Sequence, residues 1–374
     1  MSRFIQFHIL TSYPASNLNR DDLGRPKTVL MGDALRLRVS SQSLKRAWRT
    51  SDCFEELETG SLTNSILVKM YTRLVDEYNL PEDKAFDAAK ALTYIYGGPK
   101  STQKKKTMDQ IRTGAMVFLS NSEQKNLYEF VEKIVSDKKL FKEVTAINKL
   151  KDKDAKRKKI NQLAEGFVFF DIEHIPADVA LFGRMLASSN RHNIEAAAQV
   201  AHAMTVHKAA VEDDFFTAVD DLNRDDAGAG HLGVTEFGAG LFYLYLCVDR
   251  ELLKENLGGD ADLANRAVAA LVNAACTVSP SGKQNSFGSR AWASYCLAEK
   301  GDIQPCNLSV AYLKPLGASD RYDEKKDSVT VEDAVKRLEQ QRSRFNEIYN
   351  VETESSSFGP AGGTLADVLD FIRE

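Results

Sequence analysis

Two groups of side chains near the start of the chain are of types and spacings that could do chemistry. Asp21 and Asp22 are adjacent carboxylates beside a run of cations, Arg20, Arg25 and Lys27. Paired carboxylates can hold a divalent metal for phosphodiester cleavage. In a polar loop they serve equally as turn residues or as partners of nearby arginines. The second group is Ser40, Gln42, Lys45, Arg46 and Arg49. At 100° per residue the last four fall within about one third of a helix circumference, and Leu44, Ala47 and Trp48 fall opposite. Such a helix has one face for a core and one for a polyanion. Ser40 or Ser41 can accept a hydrogen bond from its first turn.

Other chemistry is missing. The sequence has no phosphate loop of the G-x-x-x-x-G-K-[ST] type, no G-x-G-x-x-G after a strand, no G-x-S-x-G and no H-E-x-x-H. His202 and His207 are five apart, which suits neither one face of a helix nor one face of a strand. The five cysteines, Cys53, Cys247, Cys276, Cys296 and Cys306, show no C-x-x-C spacing, and their odd number speaks against a disulfide framework. Reduced thiols, no cofactor and no metal are the expectation.

Charge is unevenly placed. The net charge is −4, yet residues 1–50 hold nine Lys and Arg against three acids, and residues 98–160 hold seventeen against eight. Such asymmetry fits a chain with one polyanion-binding face, and the second stretch fits a solvated lysine surface as well. No apolar run approaches the ~20 residues that cross a bilayer, and the first eight residues turn polar too early for a signal peptide. The reading is a chain that stays in the cytoplasm, with no membrane partner.

The elements that would position these groups form an α+β pattern. Residues 4–10 alternate as a strand, and residues 11–33 make a long loop with Pro14, Gly24 and Pro26. Residues 34–39 form a second strand, with Leu35, Leu37 and Val39 on one face and Arg36 and Arg38 on the other. Residues 51–165 read as a mainly helical insertion, with Pro81 in a first turn and Gly97-Gly98 as a stop. Residues 167–185 read as strand, and residues 199–208 fit strand or helix. Residues 207–240 read as a hairpin with an acidic excursion around Phe215 and Phe216, followed by a strand over 241–246. Helices follow over 261–278 and 329–349, and Thr364 caps a last one.

Ser40-Ser41-Gln42-Ser43-Leu44-Lys45-Arg46-Ala47, behind the loop Leu18-Asn19-Arg20-Asp21-Asp22, resembles the CasC family. These are the Cse-type backbone subunits of the type I-E CRISPR effector, Cascade. Further matches follow in order: Ala180-Leu181-Phe182-Gly183-Arg184-Met185, Ala201-His202-Ala203, Phe216-Thr217-Ala218-Val219-Asp220-Asp221, His231-Leu232-Gly233, Glu255-Asn256-Leu257-Gly258-Gly259 and Gly282-Lys283-Gln284. The resemblance implies a modified ferredoxin-like (RRM-like) palm from 1–50, 166–206 and 241–374, helical fingers at 51–165 and a β-hairpin thumb at 207–240.

It also implies a non-catalytic subunit. Copies would line up in a helical filament along CRISPR RNA, beside other Cascade subunits. Each thumb would displace one nucleotide and leave the other bases to pair with target DNA. Arg20, Lys27, Lys45, Arg46 and Arg49 would take phosphates, Ser40, Gln42, Lys283 and Gln284 would add hydrogen bonds or charge, and Met185 and Phe216 would pack on bases. Backbone-only contacts suit a protein that lets RNA read sequence. If about five phosphates are neutralised per protomer, log K falls with log salt at roughly −3.5. The alternative is a metal-dependent endoribonuclease using Asp21 or Asp22.

Overall fold

The computed structural model describes residues 2–103, 106–186, 190–219, 229–317 and 329–373. The chain divides into two compact units. One comprises residues 1–56, 197–254 and 261–374, and the other residues 57–196 and 255–260.

Eleven strands are present among the described residues: β1 (Phe4–Ser16), β2 (Thr28–Met31), β3 (Ala34–Val39), β4 (Ser61–Thr63), β5 (Val117–Leu119), β6 (Ala198–Val200), β7 (Ala203–Thr205), β8 (Glu212–Val219), β9 (Ala229–Asp249), β10 (Ala293–Gly301) and β11 (Glu354–Phe358). The first unit is built on an antiparallel sheet in the order β11-β10-β1-β9-β7-β3-β2, with β6 and β8 also paired to β9. The sheet forms because β1 and β9 are long alternating runs. They pair continuously from Phe4 opposite Asp249 to Tyr13 opposite Gly240. β1 runs past the expected end at residue 10. Its register shifts between Tyr13 and Ser16, where Pro14, which has no N–H for the ladder, leaves the pairing without ending the strand.

One face of the sheet carries Leu10, Tyr243, Tyr245, Tyr295 and Leu297, which pack against Leu308, Tyr312, Ala334 and Leu338. The last two lie on the predicted amphipathic helix, which spans Val331–Tyr349 and is capped by Thr330. The helix over Ala261–Thr277 buries Ala267, Leu271, Val272 and Ala274. The final helix, Leu365–Arg373, starts with Thr364 and Asp367 each accepting from the other's backbone N–H, as the sequence suggested.

The second unit is mainly helical, with the small β4–β5 pair. Its core gathers Leu67, Met70, Leu92, Leu127, Phe130, Val144 and Ile160. Gly97 ends the Thr93–Tyr96 turn in a left-handed conformation that glycine adopts without a Cβ penalty.

Residues 167–185 depart from the expected strand. Phe167, Phe169 and Phe170 form no ladder; the first two pack at a tilt against Phe130 on the helix Asn121–Ser136. Residues 177–182 form a helix, Ala177–Phe182. Asp178 accepts from the Gly60 N–H at 2.7 Å, and Arg184 pairs with Glu123. These ties place 166–196 with the helices rather than with the sheet. The ambiguous stretch 199–208 resolves into β6 and β7. All five cysteines are free thiols. Among the described residues no helix is long and apolar enough to cross a membrane.

Candidate nucleic-acid interface

The cationic helix exists where the spacing put it, over Ser41–Arg49. Ser40 is its N-cap, and the Ser40 side chain accepts from the Ser43 N–H. Leu44 and Trp48 are buried, as expected of the core face. The opposite face is graded rather than uniformly open. Gln42 and Arg46 are exposed, Lys45 is half-buried, and Arg49 is only 8% exposed. Burial lowers the Lys45 pKa from its usual value. The expectation of one open face bearing three cations is therefore corrected: Arg46 faces solvent, Lys45 does so in part, and Arg49 is largely inside.

Two asparagines fix the loop before β2, one to the start of this helix and one to the loop itself and to β9. Asn19 Oδ1 accepts from the Ser40 N–H at 2.9 Å. The Asn17 side-chain amide donates to the carbonyls of Gly24 and Glu236. Arg20, next in sequence to Asn19, is exposed near the start of the helix, whose dipole favours an anion. Lys27 is half-buried and donates its N–H to Asn19.

Asp21 is a turn residue. Its Oδ1 accepts from the N–H groups of Leu23 and Arg25, both at 2.9 Å. Asp22 is exposed. Among the described residues no group of three His, Cys, Asp or Glu side chains is arranged to hold a metal.

Residues 282–284 join the same place from far along the chain. A Cβ on Gly282 would stand 2.2 Å from the Leu18 carbonyl oxygen, so only glycine lets these two backbones approach this closely. Lys283 follows in a left-handed conformation and donates its ammonium to Thr235 Oγ1 at 3.3 Å. Gln284, half-buried, begins a short helix, Gln284–Phe287.

Thr235 lies at the foot of the predicted hairpin, which is present as the β8–β9 ribbon. The acidic positions Asp220, Asp221, Asp225 and Asp226 lie outside the described residues. Phe216 stands opposite Gly233, and its ring covers the space a Cβ there would fill. It remains 41% exposed. Alternation puts Gly233, Thr235 and Phe237 on one ribbon face, so Phe216 shares the face from which Thr235 meets Lys283 and Phe237 meets Phe287.

Met185 is placed in the other unit and is not brought to this group by any described contact. It is 83% exposed, although its neighbour Arg184 is buried. It lines a cavity of about 370 Å³ with Tyr94, Met116, Lys153 and Arg157.

Sequence reasoning missed three residues. Arg38 donates to His202 Nδ1 at 2.8 Å, and the His202 pKa is lowered by burial and then by the charges of Arg38 and Lys27. This pair adds to the positive surface beside Lys27. The signal was available in the alternation of Arg36 and Arg38. Arg36 itself is fully buried, donating to the carbonyls of Thr205 and Tyr312. The third is Arg184, whose pairing with Glu123 carried no local signal.

Comparison with known proteins follows this geometry. Residues 5–364 match the model of the CT1975-like protein family. A chain of a solved "CRISPR RNA-guided surveillance complex, pre-nicking" is similar at 28% identity, with 99% of each chain covered and a TM-score of 0.78. A chain of a "CRISPR RNA-guided surveillance complex" is similar at 25% identity, covering 99% of this chain and 98% of that one, with a TM-score of 0.57. A comparison with curated proteins found no significant match. With the family model spanning nearly the whole length, the chain belongs to the CT1975-like family of Cas proteins.

Proposed function

We propose that this chain is a CasC-like backbone subunit of a type I-E Cascade, coating CRISPR RNA as a filament of identical copies without catalysing a reaction. In this reading the first unit is a modified ferredoxin-like palm, the second supplies the fingers, and the β8–β9 ribbon is the thumb. The RNA backbone runs past Arg20, Lys27, Arg38, Ser40, Gln42, Lys45, Arg46 and the 282–284 turn. Met185 and Phe216 pack on bases. The remaining bases stay open for pairing with target DNA.

One observation carries the reading. The contacts from Asn19 to Ser40, from Gly282 to Leu18 and from Lys283 to Thr235 gather cations from three distant segments beside an exposed aromatic ring. Such a surface holds phosphates and stacks bases without reading sequence. The likeness to chains of RNA-guided surveillance complexes supports it.

The test is assembly and salt dependence. The purified chain is sized with and without guide RNA, and its affinity is measured across salt concentrations. Ordered multimers are expected only with RNA, and Arg46→Ala is expected to flatten the log–log slope by about 0.7. An unchanged slope removes this helix from the interface. Regularly spaced cleavage of complementary RNA with magnesium, lost in Asp21→Ala or Asp22→Ala, would overturn the non-catalytic assignment.

A further inference from the structure

The segment after the 282–284 turn carries a feature that the phosphate-binding residues do not use. Trp292 is 76% exposed, in contrast to Trp48, the other tryptophan, at 1%. Its exposure does not come from slack backbone. Ser279 Oγ accepts from the Ala291 N–H at 2.9 Å and donates to the Ala291 carbonyl at 3.0 Å. The Gln284 amide, turned so that its oxygen faces them, accepts from the N–H groups of Ser289 and Arg290. Ser289 is fully buried. Ser289 and Ala291 are thus clamped in place, and the exposed Arg290 and Trp292 alternate with them.

The charge of the flanking sequence favours one occupant. No Asp or Glu occurs between Asp262 and Glu299, and the cations in that stretch are Arg266, Lys283 and Arg290. Arg266 pairs with Asp262 within its own helix. An indole two residues from a guanidinium, on a fixed backbone in a sequence stretch free of carboxylates, suits a single strand that offers a base face and a phosphate at each step.

We infer that Arg290 and Trp292 form a second single-stranded RNA contact, with the indole stacking on a base and the guanidinium on the adjoining phosphate. Gln284 and Ser279 are its positioning residues. The inference rests on the RNA-binding reading above and adds a stacking site separate from Met185 and Phe216.

The experiment uses the full-length chain and a mixed-sequence single-stranded oligoribonucleotide. Affinity is read by anisotropy of labelled RNA, and tryptophan emission is read with unlabelled RNA. RNA is expected to quench the wild-type emission. Trp292→Ala is expected to weaken binding roughly 5- to 150-fold. Trp292→Phe keeps a ring, so it should bind within about threefold of wild type while losing the quenching. Wild-type affinity in Trp292→Ala, with the wild-type chain itself binding, overturns this inference and leaves the broader reading standing. Loss of self-association without RNA in Trp292→Ala overturns it in favour of a contact between subunits. Failure of the wild-type chain to bind RNA removes both.

Discussion

Arg184→Ala should unfold the helical unit at a markedly lower denaturant concentration. Arg184 and Glu123 form a buried ion pair, with Nη1 and Oε1 2.7 Å apart. Nη2 donates to the Asp171 carbonyl at 2.9 Å, and Nε donates to the His192 carbonyl at 3.3 Å. Glu123 Oε1 also accepts from the Asp171 N–H, and Oε2 accepts from the Ser120 N–H to close the capping box of the helix Asn121–Ser136. Removing the guanidinium leaves a carboxylate without its counter-charge and two carbonyls without those donors. Breaking one side of a buried pair costs about 3–5 kcal/mol. With a urea slope of about 2 kcal/mol per molar, the midpoint should fall by roughly 2 M. Circular dichroism in urea measures this. The double variant Glu123→Gln with Arg184→Met should recover most of the loss, because no charge then remains buried. A single-variant loss below about 1 kcal/mol, or a double variant as weak as Arg184→Ala, would refute the role given to this pair.

Two further outcomes follow from packing and charge. A Cβ at Gly233 would fall 2.4 Å from Phe216 Cζ, so Gly233→Ala should swing the ring off the ribbon. The periodic footprint on bound RNA should blur while affinity holds, and an unchanged footprint would contradict the placement of Phe216. In the first unit, burial alone would raise the Glu299 pKa, but hydrogen bonds and charge from His8 and Arg342 bring it down to about 2. A depressed carboxylate stabilises the fold above its unfolded value of 4.5, and that stability drains as pH falls from there toward 2. The contribution is about 3 kcal/mol at neutral pH. Glu299→Gln should therefore flatten the stability profile between pH 5 and about 2, as read by thermal melts; a profile parallel to wild type would exclude Glu299 as its source.

What the sequence disclosed was local. The cap at Ser40, the register of Leu44 and Trp48, and the alternating strands depend on neighbours within a few positions. The misreadings were long-range. Arg49 is covered by parts of the fold that the helix's own spacing does not reveal. Alternation places Arg36 with Arg38 on the face opposite the leucines, and the carbonyls that cage it come from the distant Thr205 and Tyr312. The phenylalanine run at 167–170 has strand composition, yet Phe130 offers it an aromatic cluster instead of a ladder. The grouping of Arg20 with Lys283 was implied only by family resemblance. Its cause, the glycine-only approach of Gly282 to Leu18, has no periodic signature.

The 21-residue strand β9 links the ribbon to the main sheet. From Gly240 to Asp249 it is paired residue by residue to β1, so its register cannot slip without turning the core face of the sheet to solvent. The same backbone, a few residues earlier, carries Gly233 under Phe216, Thr235 against Lys283 and Phe237 against Phe287. A one-residue slip would send all three to the opposite ribbon face. The position of Phe216 relative to the 282–284 turn is thus set by the hydrophobic register of the sheet. The periodic displacement of nucleotides proposed above would depend on such a fixed relation, because an error in spacing at one protomer would propagate to every copy along the same RNA.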